Sequence, residues 1–193
     1  TCAVDDSGVT CWGYNRSGQT DVPDTLSNPT QVSAGSGHTC ALDDSGVTCW
    51  GDNYRGQTNV PDTLSNPTQV SAGGDHTCVL DDSGNGMTCW GYNGQGQAAV
   101  PVLSNPTQVS AGGNHTCAVD DSGVTCWGSS VVRGEVPNTL FNPTQVSVGK
   151  TNHACAVDDN GVICWGYDGN EQTTVPDTLS NPTQVSAGSG HTC

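Results

Sequence analysis

Apolar residues along the chain occur in short runs that turn-forming residues interrupt. The longest purely apolar runs are about four residues, as in Ala154–Val157, far short of the roughly 20 that a membrane-spanning helix needs. The recurring stretches TQVSAG, HTCAL and VTCWG carry β-branched residues, and a Gly-x-x turn or the sequence DDSG separates them. Such segments are typical of short β-strands joined by tight turns. The pattern therefore predicts an all-β protein.

The same segments return in the same order along the whole chain. One unit runs from Asn28 to Ser65, and a period of this size is typical of solenoids and propellers. A catalytic centre is rarely needed five times, so we interpret the motif HTCALDDSGVTCWG as scaffold. The period is marked by Cys2, Cys40, Cys78, Cys117, Cys155 and Cys193, which are 38, 38, 39, 38 and 38 residues apart.

The DDSG segments predict the register of a hairpin in each unit. Asp first and Gly last suit a four-residue loop that is built on a type I turn. If Leu42 faces Val47 across this loop, Cys40 faces Cys49 on the same side of the sheet. The loop of the third unit, DDSGNG, is longer by an even number of residues, so its cysteines keep the same facing.

The facing cysteines predict one disulfide in each unit. Free thiols and a metal site are the alternatives, but the Cys-x8-Cys spacing lacks the short knuckle of zinc sites. Disulfides suit a chain that is only 33% hydrophobic, and they imply an extracellular, periplasmic or cell-surface location. The predicted pairs are Cys2–Cys11, Cys40–Cys49, Cys78–Cys89, Cys117–Cys126 and Cys155–Cys164, with Cys193 left over.

Charge limits the classes of partner. Four Lys plus Arg against nineteen Asp plus Glu give a net charge of −15, which repels nucleic acid and anionic lipid. A calcium site in the acidic turns is disfavoured, because calcium loops spread their ligands over about a dozen residues. We expect no nucleic acid binding and no membrane insertion, and a negative rim formed by Asp5, Asp6, Asp43, Asp44, Asp81, Asp82, Asp120, Asp121, Asp158 and Asp159.

The face opposite this rim differs between units. The loops after the five Trp-Gly pairs read YNRSG, DNYRG, YNGQG, SSVVRG and YDGNE, and the Gly-x-x-His turns share their face. Variable loops on a rigid scaffold are the usual place for recognition, and Tyr and Arg often anchor interfaces. Alternatively, the tyrosines pack between repeats and the arginines solubilise an acidic surface. The predicted partner-binding residues are Tyr14, Arg16, Tyr54, Arg55, Tyr92, Arg133, Lys150 and Tyr167.

The remaining repeated side chains are interpreted as structural. The histidines at the start of strand two (His38, His76, His115, His153 and His191) are expected to bond the backbone of a neighbouring turn. The tryptophans (Trp12, Trp50, Trp90, Trp127 and Trp165) are expected to pack between repeats beside small residues. No Ser/His/Asp set, phosphate loop or carboxylate pair stands apart from the repeat. We therefore predict no catalytic residue, no metal site, no cofactor and no enzymatic activity.

The stretch VSAGxxHTCAL followed by CWGxNxxGQ resembles the repeat of the regulator of chromosome condensation family, in its bacterial, cysteine-containing form. The period and the tail GQTxVP are also similar to those of propeller-type β-lactamase inhibitors. The resemblance covers residues 1–193 as a single domain and implies a β-propeller with three-stranded antiparallel blades, four strands being the alternative. The family includes exchange factors, chromatin binders and enzyme inhibitors, so the motif indicates fold better than function.

The chain has five repeat units, whereas the resemblance implies a ring of seven. Either TQVSAG at residues 183–188 closes a five-bladed ring on the first hairpin, or the chain is an arc of a larger ring. The unpaired Cys193 favours the arc. Because residue 1 lies inside a motif and the only methionine is Met87, we also expect a piece of a longer protein.

These observations predict a secreted or surface-exposed module that binds a protein through the Tyr and Arg face. By resemblance, the partner could be an extracellular enzyme that the module inhibits. A structural spacer in a larger surface protein is the alternative, with loops that vary because nothing constrains them. Guanine-nucleotide exchange and chromatin binding follow from the family name alone, and the disulfides and the negative charge oppose both.

Overall fold

The computed structural model of the chain describes residues 1–82, 86–129 and 136–193. Regular structure in these ranges is entirely β, and they contain no helix that could cross a membrane. The strands are β1 (Cys2–Asp5), β2 (Gly8–Cys11), β3 (Gln31–Ala34), β4 (His38–Asp43), β5 (Gly46–Gly51), β6 (Gln69–Ala72), β7 (His76–Leu80), β8 (Met87–Gly91), β9 (Gln108–Ala111), β10 (His115–Asp120), β11 (Gly123–Gly128), β12 (Gln145–Val148), β13 (His153–Asp158) and β14 (Gly161–Gly166).

The strands form one antiparallel sheet per repeat, and each sheet is a propeller blade. Four blades have three strands each (β3–β5, β6–β8, β9–β11 and β12–β14), and β1 and β2 form a two-stranded sheet. Within the first three-stranded blade, Leu42 pairs with Val47 and Cys40 pairs with Cys49, as the turn chemistry predicted. The predicted all-β propeller fold with three-stranded blades is therefore confirmed.

The hairpin register brings the cysteines together as predicted. Cys78 still faces Cys89 across the longer third loop, which confirms that the even insertion preserves the facing of both side chains. Cys193 is a free, exposed thiol. The five disulfides are Cys2–Cys11, Cys40–Cys49, Cys78–Cys89, Cys117–Cys126 and Cys155–Cys164.

Successive blades are joined at their first strands by side chains that bond the next backbone. The Oε1 atom of Gln31 accepts the Val70 N–H at 2.8 Å, and the hydroxyl oxygen of Ser33 accepts the Ala72 N–H at 2.9 Å. Each inner strand thus presents polar side chains to the backbone donors of the following one. The contacts recur as Gln69–Val109, Ser71–Ala111, Gln108–Val146, Ser110–Val148, Gln145–Val185 and Ser147–Ala187.

The hydrophobic core lies between blades rather than within one. Cys40 and Leu42 of one blade form a buried cluster with Val70, Val79 and Trp90 of the next. The disulfide is therefore part of the packing surface, and an indole from the following blade covers the cluster. Equivalent clusters separate the later blades.

Burial of the tryptophans depends on the presence of a preceding blade. Trp50, Trp90, Trp127 and Trp165 are between 5% and 9% exposed, whereas Trp12, in the first hairpin, is 52% exposed. The indole N–H of Trp90 also donates to the carbonyl oxygen of Gln57 at 3.0 Å in the preceding repeat. Inter-repeat packing of these side chains is confirmed for the blades that follow another blade.

The glycine that ends VSAG is required by the close approach of neighbouring blades. A Cβ atom on Gly35 would lie 2.5 Å from the carbonyl oxygen of Gly73 and 2.6 Å from the His38 ring. A Cβ atom on Gly73 would meet the carbonyl oxygen of Gly112 at 2.6 Å. Real Cβ atoms do not approach this closely, so only glycine fits at this position of the turn.

The C-terminal segment continues the array. Ala187 forms an antiparallel bridge with Thr192, and Val185 donates to the Gln145 side chain of the preceding blade at 2.8 Å. Residues 183–188 therefore begin a further inner strand and do not pair with the first hairpin. The blades form an open arc, as predicted, rather than a closed five-bladed ring.

Candidate protein-binding face

The loops after Trp-Gly and the Gly-x-x-His turns lie on the same face of the arc, which we call the loop face. The Asp52 N–H donates to the carbonyl oxygen of Gly37 at 2.8 Å, and the Tyr92 N–H donates to that of Asp75 at 2.8 Å. The Tyr167 N–H makes the same bond in the last blade. These contacts follow from the antiparallel strand directions, because strand one and strand three of a blade end at the same side.

The tyrosines of the loop face are mostly exposed. Tyr54 is 83% exposed, Tyr14 is 69% exposed and Tyr167 is 48% exposed, while Tyr92 is half-buried. Aromatic rings with this much exposure do not pack between blades. The interpretation of the tyrosines as inter-repeat packing therefore fits Tyr92 alone, and only in part.

The cations of the described residues also lie on the loop face. Arg16, Arg55 and Lys150 are exposed there, and Arg133 lies outside the described residues. Lys150 lines a cavity of about 370 Å³ whose other walls are glycine, alanine, serine and valine residues of the inner strands and of the turns that follow them. The structure thus brings the predicted partner-binding residues to one side of the molecule, spread over several blades.

A buried glutamine holds each of four loops on this face. Gln57 is fully buried, and its Oε1 atom accepts the Arg55 N–H at 2.8 Å. Its amide Nε2 donates to Asp52 at 3.2 Å, and the other carboxylate oxygen of Asp52 accepts the Tyr54 N–H at 3.2 Å. These bonds therefore fix the backbone that carries Tyr54 and Arg55 from the buried side of the loop. The glutamine bond recurs at Gln19, Gln97 and Gln172.

Sequence reasoning missed the role of these glutamines. Three of them follow glycine in the recurring Gly-Gln tail and Gln172 follows Glu171, at a position where a turn has no evident need for glutamine. A polar residue that returns at one phase of a repeat without a turn function is the signal that could have indicated a buried acceptor.

Two loops of neighbouring blades meet through a stack of Arg55 on aromatic rings. The guanidinium carbon of Arg55 lies 5.1 Å from the ring centroid of Tyr54 and 4.8 Å from that of Tyr92. Both distances lie within the range of cation–π attraction. The Tyr92 ring in turn folds over its own loop, so closely that a Cβ atom on Gly94 would collide with it. The stack thus combines side chains from two neighbouring blades.

The opposite rim exposes fewer carboxylates than the sequence predicted. Asp43, Asp81, Asp120 and Asp158, the first acids of four of the turns, are at most 8% exposed. The Asp43 carboxylate accepts the N–H groups of Ser27 at 2.9 Å and Ser45 at 2.8 Å. The first acid of each pair holds the turn. Only the second acid of each of these pairs therefore contributes to the exposed rim.

Hydrogen bonding keeps the Asp43 carboxyl ionised. Burial alone raises the pKa of Asp43, but hydrogen bonds from Ser45, Ser27 and Gly46 outweigh it and hold the pKa below its usual value. Asp44 accepts the side-chain amide of Asn28 at 2.6 Å, and Asn28 takes a positive φ of 49°. The carboxylates are engaged as turn chemistry requires.

The histidines are structural, but their partner differs from the expected one. The Nε2 atoms of His38 and His76 lie 2.9 Å from the hydroxyl oxygens of Thr77 and Thr116 in the following blade. For these two histidines the partner is thus a side chain of strand two and not a turn backbone. His153 is also buried, whereas His191 is exposed. In the described part of the chain, no three His, Cys, Asp or Glu side chains are grouped so that they could hold a metal ion.

Known proteins share this repeat and this fold. The regulator of chromosome condensation (RCC1) repeat matches residues 30–57, 68–97 and 107–132. No curated protein matches the chain.

Several solved structures are similar over most of the chain. The CRINKLY WD40 ectodomain of the Arabidopsis thaliana receptor kinase ACR4 is 28% identical with a TM-score of 0.78, over 100% of this chain and 71% of that one. The ectodomain of the Physcomitrella patens receptor kinase CR4 is 25% identical with a TM-score of 0.80, over 97% of this chain and 55% of that one.

A third similar structure is that of Saccharomyces cerevisiae Prp20p. It is 17% identical with a TM-score of 0.70, over 86% of this chain and 55% of that one, and it was described with its binding to Gsp1p and histones. At this identity the likeness concerns the fold alone. Together, these similarities show that the chain has a β-propeller fold and contains three segments that match the regulator of chromosome condensation repeat.

Proposed function

We propose that this chain is a non-enzymatic module that binds a protein partner through the loop face. The observation that carries the proposal is the exposure of Tyr14, Tyr54 and Tyr167 on one face of a rigid scaffold. Exposed tyrosines beside arginines have the composition of binding hot spots, and here they occupy the loops that differ between repeats. The side chains of the surrounding framework form the contacts that join the blades.

The proposed location of this binding is outside the cytosol. Five disulfides in a chain of 193 residues favour an oxidising compartment: the extracellular space, the periplasm or the cell surface. Two of the similar structures are ectodomains of plant receptor kinases, which supports the same location. The net charge of −15 opposes binding to nucleic acid.

Inhibition of an extracellular enzyme is the specific form that we propose for this binding. It draws support from the similarity of the GQTxVP tail to propeller-type β-lactamase inhibitors. A rigid arc of loops suits inhibition, because a preorganised surface loses little entropy when it covers an active-site entrance.

The test is a capture experiment with matched variants. The chain is immobilised, and proteins from an extracellular fraction are bound to wild type, to the triple variant Tyr14→Ala, Tyr54→Ala, Tyr167→Ala, and to the rim variant Asp44→Asn, Asp82→Asn. Wild type and the rim variant should retain one specific partner that the triple variant loses. With the partner purified, the triple variant should raise Kd by about 30-fold or more, since hot-spot side chains contribute about 2 kcal/mol or more.

Stability measurements separate a binding effect from a folding effect. The triple variant should unfold within about 0.5 kcal/mol of wild type for each exposed substitution. Equal loss of the partner by the rim variant would contradict a role for the loop face. If no protein is captured specifically, the proposal fails and the structural spacer becomes the better account.

A further inference from the structure

We propose that Arg55 binds a carboxylate group of the protein partner. This inference rests on the proposed function and specifies the chemistry of the partner at one point of the loop face. It starts from the stack of Arg55 on Tyr54 and Tyr92, with ring distances of 5.1 Å and 4.8 Å. Among the described residues, Arg55 is the cation that contacts aromatic rings.

The ring contacts leave the hydrogen-bond donors of Arg55 available. A guanidinium group has five N–H donors in its plane, while a cation–π contact uses the charge above a ring. Within the residues that the structure describes, no acceptor of this chain bonds the Arg55 side chain. A carboxylate is the ligand whose two oxygens match two parallel N–H donors of arginine.

The acid in the loop of Arg55 is engaged by other donors. The two carboxylate oxygens of Asp52 accept the Tyr54 N–H and the Gln57 amide, and no ion pair joins Asp52 to Arg55 in the described structure. A chain with nineteen acids and four cations thus keeps this guanidinium unpaired at its surface. Charge complementarity therefore favours an acidic group from outside the chain.

The position of Arg55 is preorganised for such a contact. Its backbone N–H is bonded by the buried Gln57 side chain at 2.8 Å, and its guanidinium rests on rings from two blades. Ordering of a long side chain is a cost of binding, and here part of that cost is met before the partner arrives. Arg16 is an exposed arginine in the equivalent loop of the first repeat and contacts no ring in the described part of the chain, so it is a natural control.

The direct test uses acetate as the carboxylate probe. The Nε–H resonances of the arginines are followed by NMR while sodium acetate replaces sodium chloride at constant ionic strength. The Arg55 resonance should shift with an apparent Kd about threefold or more below that of Arg16, which corresponds to the lower end of the ordering cost of one long side chain. Equal responses of Arg55 and Arg16 would overturn the proposal.

Variants test whether the rings cause the difference. Tyr92→Ala and, separately, Tyr54→Ala should bring the acetate response of Arg55 towards that of Arg16. Tyr54 is 83% exposed, so its variant remains informative if Tyr92→Ala fails to fold. A response of Arg55 that stays the same in both variants would contradict the proposed role of the stack.

A partner assay distinguishes this inference from the proposed function. With the captured partner, Arg55→Lys should weaken binding about fivefold or more, because lysine keeps the charge but loses the planar pair of donors. Loss of the partner in the tyrosine variant, with unchanged binding by Arg55→Lys, would overturn the carboxylate contact and leave the function intact. If no partner is captured, the function fails, and the acetate titration still decides the carboxylate site.

Discussion

The imidazole Nε2 atom of His38 lies 2.9 Å from the hydroxyl oxygen of Thr77 in the following blade. The Thr77 hydroxyl donates its one proton to the carbonyl oxygen of Gln57 at 2.8 Å, so the proton between His38 and Thr77 belongs to Nε2. The Nδ1 atom of His38 is buried without a partner in the described structure, and burial lowers the pKa of the ring, so His38 is neutral at pH 7. The Thr77 hydroxyl thus links the second strands of two successive blades to the end of the preceding loop.

This arrangement predicts that acid weakens the contacts between blades. Burial lowers the pKa of His38 to about 4, of His76 to about 3 and of His115 to about 4, and in the unfolded chain each titrates near 6.5. Between these values the unfolded state binds more protons, so stability falls as pH drops below about 6.5. The loss should be about 1–2 kcal/mol per histidine between pH 7 and pH 5.

Urea unfolding at a series of pH values measures this effect. His76→Gln should have a smaller loss of stability between pH 7 and pH 5 than wild type, because it removes one titrating group. The turn acid Asp43 has a lowered pKa, so its contribution is lost only at more acidic pH, below its usual value of 3.8. A free energy of unfolding that stays constant from pH 7 to pH 5 would show that the buried histidines are not held neutral.

Removal of the Thr77 hydroxyl should destabilise the protein. Thr77→Val leaves the buried Nε2–H of His38 without a partner, while the carbonyl oxygen of Gln57 keeps the Trp90 indole N–H, at an expected cost of about 1–3 kcal/mol. Thr63→Val, at an exposed position, should change stability by no more than about 0.5 kcal/mol. Chemical denaturation of both variants provides the measurement, and equal effects would contradict the importance of the hydroxyl.

Replacement of the glycine at the blade contact by alanine should destabilise the protein. In Gly73→Ala the new Cβ atom meets the His76 ring at 2.5 Å and the Gly112 carbonyl oxygen at 2.6 Å, so the blades must separate. The melting temperature should fall further than in Gly123→Ala. Gly123 has a φ of 113° but no atom within 4 Å of the added methyl carbon, so that variant costs only the backbone strain of about 1–2 kcal/mol. A smaller effect at Gly73 would contradict the close approach.

Thiol labelling should identify Cys193 alone. Protein recovered from an oxidising compartment and treated with iodoacetamide without reductant should gain one label, because the other ten cysteines are paired. After reduction all eleven should be labelled. Mass spectrometry of the tryptic peptides gives the sites, and several labels before reduction would mean that the pairs do not form.

Local chemistry is what the sequence could predict. The register of Leu42 with Val47 follows from a four-residue turn, and the facing of Cys40 and Cys49 follows from that register. These steps depend on neighbours in the chain, and the repeat tests each of them several times.

Contacts between blades could not be predicted in the same way. The bond from His38 to Thr77 depends on a distance across a blade interface. The burial of Asp43 and the role of Gln57 depend on how each loop folds over the side chain. A polar residue that recurs in the sequence does not indicate whether its side chain faces water or a neighbouring backbone. The stack of Arg55 on Tyr92 is of the same kind, since its members lie in different repeats.

The side-chain contacts that join the first strands of successive blades have a consequence for how such an array can grow by gene duplication. The acceptors are side chains that every copy carries, such as Gln31 and Ser33, and the donors are backbone N–H groups such as that of Val70, which exist whatever the residue. A newly inserted copy is therefore compatible with its neighbours from the first generation. Mutation can then alter the loops one repeat at a time, and new binding specificities can arise without a cost to the joints.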